Sequence, residues 1–317
     1  MNKRILFIAP SYFDIQIKIV DKLHKLGYDV LFISDSKSGI FKYLLTKIPF
    51  LNLLDHRIKL RKLFRLVQQK EFQILFVIKG ESLSCDEWRN FLSLNNIPLK
   101  IMYQWDSVCN YDYTNMALYF DRVLTFDKQD SMTFGYQYYP LFYEKMDSSL
   151  KQDIDLLFVG IWHSDRIKIL DRIYNQAKNE NLICDFRVYY PWYLYLWLRY
   201  IRKKQIQSPF WIFHKVPSKQ MNLLYKRARC IIDINHPGQT GLTKRTMEAI
   251  GYGKKLITTN ASIKQEEFYS EDNILVIDRN LFSLDFSFLE KHTDYHNIEK
   301  FELTYWLTNL LDDDFKN

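Results

Sequence analysis

The stretch "HPGQTGLTKRTMEAIGYGKKLITTN" runs from His236 to Asn260. It follows a mostly apolar run, Cys230–Ile234, and ends in another, Lys255–Thr259, and both runs are typical of buried strands. Between them lie a loop that contains glycines and a segment long enough for a short helix. A connection from a strand to a helix needs only a turn and a cap, so the additional polar residues of this loop indicate a binding function.

The polar groups of this loop suit an anionic ligand. A loop that leads into a helix presents unpaired backbone N–H groups and the positive end of the helix dipole. Gly238 and Gly241 allow close approach of a ligand, and Arg245 offers a guanidinium suited to phosphate. A capped helix with a polar outer face is the alternative interpretation. The residues predicted to bind are Gln239, Thr240, Gly241, Leu242, Thr243, Arg245 and Glu248.

Two other phosphate motifs do not fit this stretch. A P-loop needs GxxxxGK[ST] after the first strand of a domain, whereas "GQTGLTKRT" has a different spacing and comes late in the chain. The dinucleotide motif GxGxxG is absent from the sequence. The "GYG" at Gly251–Gly253 is interpreted as the end of the helix.

Runs typical of strands alternate with helical patterns through the first half of the chain, including a helix over Asp14–Leu26. This alternation predicts a parallel sheet with helices on both faces. The predicted strands are Arg4–Ala9, Asp29–Ser34, Ile74–Ile78, Lys100–Gln104 and Arg122–Phe126.

The polar segment Glu144–Asp153 lacks an apolar pattern and predicts a domain boundary, with domains at residues 1–150 and 151–317. The fold class is therefore predicted to be α/β, with two Rossmann-like domains that face a central cleft. Ligands of open α/β sheets bind beyond the carboxyl ends of the strands. The strands predicted after the boundary are Asp155–Gly160, Phe186–Tyr189, Phe210–Phe213, Cys230–Ile234, Lys255–Thr259 and Ile274–Ile277.

The segment "TGLTKRTMEAIGYGKKLITTN" resembles the donor-binding segment of GT-B-fold glycosyltransferases, in which a loop, a helix carrying Glu-Ala and a strand follow in this order. It looks most like the bacterial enzymes that build capsular polysaccharide or lipopolysaccharide. The resemblance implies that Glu248 binds the nucleotide ribose and that Thr243 and Arg245 lie at the diphosphate. It also implies that a C-terminal helix at Ile298–Leu311 crosses back to the first domain. Many retaining members carry a second glutamate where this chain has Thr240, which leaves the stereochemistry open.

The cluster "FVGIWHSDR", Phe158–Arg166, is the second candidate for phosphate binding. In the family's fold, the first turn of the second domain lies near the donor phosphates. Gly160 permits close approach, and His163 and Arg166 can donate hydrogen bonds to phosphate oxygens. An ordinary helix start, capped by Ser164 or Asp165, is the open alternative.

An inverting enzyme needs a general base near the acceptor hydroxyl, and the resemblance places it in the first domain. Asp14 follows the first predicted strand and Asp106 follows the fourth, so both are candidates. Either aspartate is also compatible with a helix cap or an Asx turn. We favour Asp106, because Trp105 beside it is suited to shape a sugar site and exclude water.

We expect no cofactor and no essential metal. The "DID" at Asp153–Asp155 mimics the metal-binding DxD pair, but it precedes a strand and so lies at the wrong end of the sheet. GT-B enzymes usually meet phosphate charge with helix ends and basic side chains. The four cysteines form no CxxC pair, so neither a disulfide framework nor a zinc site is expected, and a reducing cytoplasm fits.

The formal charge of +7 suggests an anionic partner. "RVYYPWYLYLWLRYIRKKQ", Arg187–Gln205, combines Trp and Tyr with a basic end, which suits a bilayer interface or an aromatic core helix. "HRIKLRKLFRLVQQK", His56–Lys70, predicts a helix that is either solvated or near anionic headgroups. The sequence has no apolar run of roughly 20 residues, the length needed to span a bilayer.

These observations predict a cytoplasmic glycosyltransferase, peripheral on the inner face of the cell membrane. The predicted partners are a nucleotide-sugar donor and an oligosaccharide or lipid-linked acceptor. A non-catalytic nucleotide-sugar-binding module, or a partner subunit of another transferase, is the alternative. The charge and the aromatic residues also raise nucleic-acid binding, but the chain has no recognised nucleic-acid motif, and we expect no nucleic-acid partner.

Overall fold

The computed structural model describes residues 3–11, 14–35, 65, 67, 70–146, 150–201 and 208–312. The chain divides into two compact units, one of Met1–Pro140 with Leu310–Asn317 and one of Leu141–Asn309. The division follows Pro140, whereas the sequence analysis placed the boundary within Glu144–Asp153. Each unit contains a parallel sheet connected through helices, so the predicted α/β class with two Rossmann-like domains is confirmed.

The first unit has, within its described residues, a six-stranded parallel sheet of order β2-β1-β3-β4-β5-β6. Its strands are β1 (Arg4–Ala9), β2 (Asp29–Ser34), β3 (Ile74–Ile78), β4 (Leu99–Gln104), β5 (Arg122–Thr125) and β6 (Gln137–Tyr138). Its helices are α1 (Ile15–Lys25), α2 (Cys85–Leu94), α3 (Thr114–Ala117) and α4 (Lys128–Phe134).

The second unit likewise has, in the part that the structure describes, a six-stranded parallel sheet, of order β12-β11-β10-β7-β8-β9. Its strands are β7 (Ile154–Ile161), β8 (Cys184–Tyr189), β9 (Trp211–Ile212), β10 (Ala228–Asp233), β11 (Lys255–Thr258) and β12 (Ile274–Val276). Its helices are α5 (Arg166–Asn179), α6 (Trp192–Leu196), α7 (Ser218–Arg227) and α8 (Lys244–Gly251). The last helix, α9 (Leu303–Leu311), begins in this unit, and its final two residues belong to the first unit.

Apolar strands explain why the two sheets form the cores. Every residue of β3, "ILFVI", is buried, as expected for a parallel strand covered on both faces. Trp88 of α2 is fully buried against the first sheet, and its indole Nε1 donates to the carbonyl of Gly80 at 3.0 Å. In the second unit, Phe158 of β7 and Ile169 of α5 lie in one buried cluster.

The strand order creates a switch point in each sheet. In the first sheet β2 and β3 lie on opposite sides of β1, and in the second sheet β8 and β10 lie on opposite sides of β7. Loops that leave neighbouring strands in opposite directions open a crevice at their carboxyl ends, where ligands of such sheets bind. The carboxyl ends of β7 and β10 are therefore the first place to look for a site in the second unit.

The strand β6 and the C-terminal helix differ from the predicted elements. The two-residue strand β6 was not predicted, because a run this short carries no periodic signal. The predicted helix over Ile298–Leu311 begins only at Leu303, after a short 3-10 turn at Glu299–Phe301. The C-terminal residues from Leu310 belong to the first unit, where the Arg122 guanidinium donates to the carbonyl of Asp312 at 2.9 Å.

The two predicted membrane-facing segments are only partly described. Most of His56–Lys70 lies outside the described residues, and Arg187–Gln205 is described as far as Ile201. Within the described ranges, none of the helices has the length and apolar character that a membrane span requires.

Candidate functional site

Asp233, the last residue of β10, organises the start of α8. Its carboxylate is fully buried and accepts hydrogen bonds from the hydroxyls of Thr243 and Thr246, each at 2.7 Å, and from Nη1 of Arg245. Thr243 also caps α8, since its hydroxyl oxygen accepts from the backbone N–H of Thr246. The Thr243 hydroxyl thus donates its hydrogen bond to Asp233. Sequence reasoning missed Asp233, although an acidic residue that ends the apolar run "CIID" was a visible signal.

Arg245 lies between β10 and β7. Its Nε donates to the carbonyl of Val159 at 3.1 Å, and its guanidinium lies 4.9 Å from the centroid of the Phe158 ring. Burial opposes the charged form, but the charge and hydrogen bond of Asp233 and the charges of Tyr225 and Glu248 together outweigh this effect, so the pKa of Arg245 is raised. Arg245 therefore remains a cation at the carboxyl ends of both strands.

Gly160 of β7 makes room for this arginine. A Cβ atom at Gly160 would lie 2.8 Å from Nη2 of Arg245 and 2.9 Å from the Phe158 ring. Such distances are too short for real contacts, so a larger residue would displace the guanidinium. The side chain that closely approaches Gly160 is thus that of Arg245, which belongs to the protein itself.

Arg166, at the start of α5, ties β7 to β10. Its buried guanidinium donates to the carbonyls of Ile161 and Ile234, which follow the switch point of the sheet. Burial, together with the nearby charge of Arg245, lowers the pKa of Arg166 to about 9, so the side chain stays charged at neutral pH. Its Nε atom has no hydrogen-bond partner among the described residues.

His163 lies close to these cations. Burial, and then the charges of Arg166, His236, Arg245 and Arg279, lower the pKa of His163 to about 4. The ring is therefore neutral at physiological pH and available to donate or accept one hydrogen bond. Its Nδ1 lies 2.9 Å from the hydroxyl of Ser164, whose φ of 45° is in the left-handed region.

Arg279, which follows β12, was not predicted. Its Nη1 donates to Asp165 at 2.8 Å, and its Nη2 donates to Oδ1 of Asn235 at 2.8 Å. Asp165 occupies the N-cap position of α5, but within the described residues its side chain makes no capping hydrogen bond to the helix. The ordinary helix start considered from the sequence therefore does not account for Asp165, because Arg279 binds its carboxylate.

Buried amides hold the loop between β10 and α8. Asn235 donates to the carbonyl of Gln239 at 2.7 Å, and Asn260 donates to the carbonyls of Thr240 and Gly241 at 2.9 and 3.2 Å. These bonds engage the backbone of the predicted loop residues and fix the shape of the loop. Leu242 is fully buried, so its side chain anchors the loop.

Two residues of this loop and helix have their own roles. Gly238 adopts a φ of +82°, a conformation that side chains rarely tolerate, so its glycine serves the turn. Glu248 lies one turn into α8, half-buried, with its carboxylate 3.5 Å from the ammonium of Lys244. The ammonium of Lys244 also donates to the carbonyl of Phe142 at 2.9 Å.

The carboxyl end of the second sheet is positively charged. The residues Arg166, Arg245 and Arg279, which we call the guanidinium cluster, outnumber the two carboxylates that they contact, Asp233 and Asp165. The start of α8 adds the positive end of its helix dipole. An anionic group therefore fits here better than a neutral one.

The first sheet carries a different site at its carboxyl end. Lys79 follows β3 and Asp106 follows β4, and the Lys79 ammonium lies 2.7 Å from Oδ2 of Asp106. Lys79 has a φ of 67°, which is costly for a residue with a long side chain, by about 1–3 kcal/mol. Gln104 fixes this conformation by donating to the Lys79 carbonyl at 2.8 Å.

A second carboxylate, that of Glu81, contacts Lys79, and the buried Asp35 holds the turn that follows. Glu81 lies 3.4 Å from the Lys79 ammonium, and the buried Asp35 accepts from the backbone N–H groups of Glu81 and Ser82, each at 3.0 Å. Burial opposes the charged form of Lys79, but the hydrogen bonds and charges of Asp106 and Glu81 together outweigh this effect, so the pKa of Lys79 is raised. Burial raises the pKa of Asp35.

Asp14 lies at the start of α1 in a left-handed conformation, with a φ of 61°. Its side chain is exposed, and it makes no capping hydrogen bond to α1 among the described residues. Asp106 is half-buried, and its carboxylate is held by Lys79.

The "DID" carboxylates have protein partners. Asp153 pairs with Arg227 at 2.7 Å, and Asp155 pairs with Arg229 at 2.9 Å. Over the described parts of the chain, no group of three or more His, Cys, Asp or Glu side chains is arranged to hold a metal ion.

No protein-family model matches the chain, and no curated protein matches it. Among solved structures, it is similar to a protein from Listeria monocytogenes provisionally assigned as a UDP-N-acetylglucosamine 2-epimerase, with 8% identity, 88% of this chain and 85% of that chain covered, and a TM-score of 0.49. It is also similar to the E. coli heptosyltransferase WaaC with ADP-2-deoxy-2-fluoro heptose, with 10% identity, coverage of 86% and 92%, and a TM-score of 0.40. The glycosyltransferase SnogD from Streptomyces nogalater gives 10% identity, coverage of 88% and 88%, and a TM-score of 0.43. The fold neighbours thus include glycosyltransferases, and likeness at these identities concerns the fold alone.

Proposed function

We propose that the protein is a glycosyltransferase that uses a nucleotide-sugar donor. The observation that carries this proposal is the guanidinium cluster at the switch point of the second sheet, beside the start of α8 and one helical turn from Glu248. A diphosphate needs concentrated positive charge and hydrogen-bond donors, and a nearby carboxylate can accept hydrogen bonds from a ribose diol. This site offers both.

The departing diphosphate is the group that the second domain would stabilise. Negative charge develops on the leaving oxygen during sugar transfer, and fixed cations that are already in place stabilise it without reorganisation. Asp233 holds Arg245 in position, and carbonyl oxygens hold Arg166. His163 is neutral and close to this cluster, so it adds a hydrogen-bond donor without a further charge.

The acceptor hydroxyl requires a base, and Asp106 is the proposed one. Its carboxylate is held by Lys79, whose strained backbone conformation is expected where function fixes a side chain. Asp14 is the second candidate, since it follows β1 at the switch point of the first sheet.

The finer assignment is a lipid-linked glycan acceptor at a bacterial surface, as in the enzymes that the sequence resembles. The alternative function is a non-catalytic nucleotide-sugar-binding module, which would keep the guanidinium cluster and Glu248 but would not need Asp106. Transfer activity separates the two functions.

Thermal unfolding with UDP, GDP, TDP and CMP, with and without magnesium, tests the donor site. A ligand at 100 times its dissociation constant stabilises the folded protein by about 2.7 kcal/mol, so one nucleotide is expected to raise the unfolding temperature. Glu248→Gln should abolish most of this rise, because it removes the acceptor proposed for the ribose. Glu271→Gln, a change at an exposed carboxylate of the same domain, is the matched control and should keep the rise.

If none of the four nucleotides stabilises the folded protein, the donor-site proposal fails. A rise that Glu248→Gln leaves unchanged would retain nucleotide binding but remove the assignment of Glu248.

A further inference from the structure

An exposed aromatic surface lies on α6 and the π-helical turn that continues it, Trp197–Ile201. Trp192, Tyr193 and Tyr200 are 58%, 62% and 67% exposed. Together with Leu196 and Trp197, which are also exposed, they recur at helical spacing and form one face of this segment. We call these five side chains the aromatic stripe.

The aromatic stripe reverses the usual orientation of a surface helix. An amphipathic helix normally buries its apolar side chains and exposes its polar ones. Here the inner side is already filled, since Tyr195 packs on Tyr190 and Phe213 with ring centroids 6.3 and 5.1 Å apart. The exposed rings of the aromatic stripe therefore take no part in the packing between Tyr195, Tyr190 and Phe213.

The sequence around the aromatic stripe is exclusively basic in its charged residues. From Val188 to Gln220 the sequence contains no aspartate and no glutamate, and its charged residues are Arg199, Arg202, Lys203, Lys204, Lys215 and Lys219. In the described part, the Arg199 guanidinium is exposed and its Nη1 donates to the hydroxyl of Tyr195 at 2.7 Å. A partner for this surface must accept aromatic side chains and also carry negative charge.

An anionic bilayer surface has both properties. Tryptophan and tyrosine favour the headgroup region, where the ring contacts acyl chains and the polar atom stays hydrated. Basic residues near the surface add attraction to anionic headgroups. The segment Trp192–Ile201 is far shorter than a membrane span, so it would lie in the plane of the interface.

We propose that the aromatic stripe seats the second domain on an anionic lipid bilayer. The stripe follows the carboxyl end of β8, and β8 is the neighbour of β7, which carries Gly160. Trp162, two residues after Gly160, packs on Tyr190 at 5.0 Å. The proposed lipid contact and the proposed donor site are thus attached to neighbouring strands, although lipid binding itself does not depend on nucleotide binding.

Sedimentation with lipid vesicles in the absence of nucleotide tests the proposal. The full chain should sediment with vesicles of equimolar phosphatidylcholine and phosphatidylglycerol, less with phosphatidylcholine alone, and less again as salt increases. The double variant Trp192→Ser/Tyr200→Ser should lower the partition coefficient by about tenfold or more. Leu281→Ser/Tyr305→Ser changes side chains that are 85% and 55% exposed on other elements, and should leave binding unchanged.

Three results would overturn the proposal. The unchanged protein could fail to bind either kind of vesicle, or both double variants could lose binding equally. The protein could also form a dimer that Trp192→Ser/Tyr200→Ser dissociates, with no vesicle binding, since the stripe would then contact a second copy. Nucleotide-induced thermal shifts report on the donor site separately, so failure of one proposal is distinguishable from failure of the other.

Discussion

Lys79 lies among carboxylates at the carboxyl end of the first sheet, whereas Arg166 and Arg245 surround the buried carboxylate of Asp233 at the carboxyl end of the second. Both places are built by the same topology, a switch point in an open parallel sheet. The surplus charge is negative at the first and positive at the second.

This difference shows that topology selects the location of a site, while the residues after each strand select its chemistry. A surplus of carboxylates suits removal of a proton from a hydroxyl. A surplus of guanidinium groups suits a departing phosphate. The proposed function assigns proton removal to the first sheet and diphosphate binding to the second, and each role can be tested by itself.

The largest expected effect concerns the carboxylate of the first sheet. Asp106→Asn should lower the rate of sugar transfer by about 10²–10⁴-fold, because the amide cannot accept the hydroxyl proton. The measurement is incorporation of labelled sugar into extractable glycan, with the donor identified by the nucleotide screen. Asp14→Asn is the comparison, and it should retain most activity. Full activity of Asp106→Asn would remove the functional contrast between the two sheets.

The next largest effect concerns Asp233 of the second sheet. Its carboxylate should matter mainly for the free energy of unfolding. Asp233→Ala leaves a buried guanidinium without its counter-ion, and should reduce the free energy of unfolding by about 3–5 kcal/mol. The ion pair of Asp153 with Arg227 is exposed, so Asp153→Ala should cost about 1 kcal/mol or less. Urea denaturation measures both changes. Equal losses would mean that Asp233 is no more important to the fold than a surface ion pair.

A smaller effect is expected from Gly160→Ala. The new methyl group would meet Arg245 Nη2 and the Phe158 ring, and such overpacking costs about 1–3 kcal/mol. Because the guanidinium has to move, the loss in free energy of nucleotide binding should exceed the loss in free energy of unfolding. Calorimetric titration with the stabilising nucleotide measures the affinity. Unchanged affinity would show that the position of Arg245 does not matter for binding.

The smallest effect concerns how stability depends on pH. The contribution of His163 in the second unit should have the opposite sign to that of Asp35 in the first. The pKa of His163 is lowered from 6.5 to about 4, so its contribution to stability is present above pH 6.5 and is lost as the pH falls towards 4. The pKa of Asp35 is raised from 3.8, so its contribution is present below pH 3.8 and is lost as the pH rises through the folded-state pKa. His163→Gln should reduce the amount by which the unfolding temperature of the second domain decreases as the pH falls from 6.5 to 4. An unchanged profile would locate the acid sensitivity elsewhere.

Most strands were predictable because their signal is local. The bounds of β1, β2 and β3 agree with the predicted runs, because each strand has a continuous apolar stretch of at least four residues. The start of β8 at Cys184 was missed by two residues, because its first residues are only half-buried and carry a weaker pattern.

The candidate site was less predictable because its contacts join distant parts of the sequence. The loop "GQTGLT" was identified from its glycines and hydroxyls, but the amide of Asn260 that holds it lies about 20 residues later. Arg279 meets Asn235 across 44 positions, and no spacing rule connects them. The left-handed conformation of Lys79 also carries no sequence signal, because that region of φ usually belongs to glycine.

The assignment of Leu310–Asn317 to the first unit has a consequence for how the chain folds during its synthesis. Arg122 emerges from the ribosome before the whole of the second unit, Leu141–Asn309, whereas its partner Asp312 emerges after it. At typical rates of translation, this interval lasts on the order of ten seconds. The first domain therefore cannot form its contact with Asp312 until the whole second unit has been synthesised, so its folding cannot be complete when its own N-terminal part leaves the ribosome.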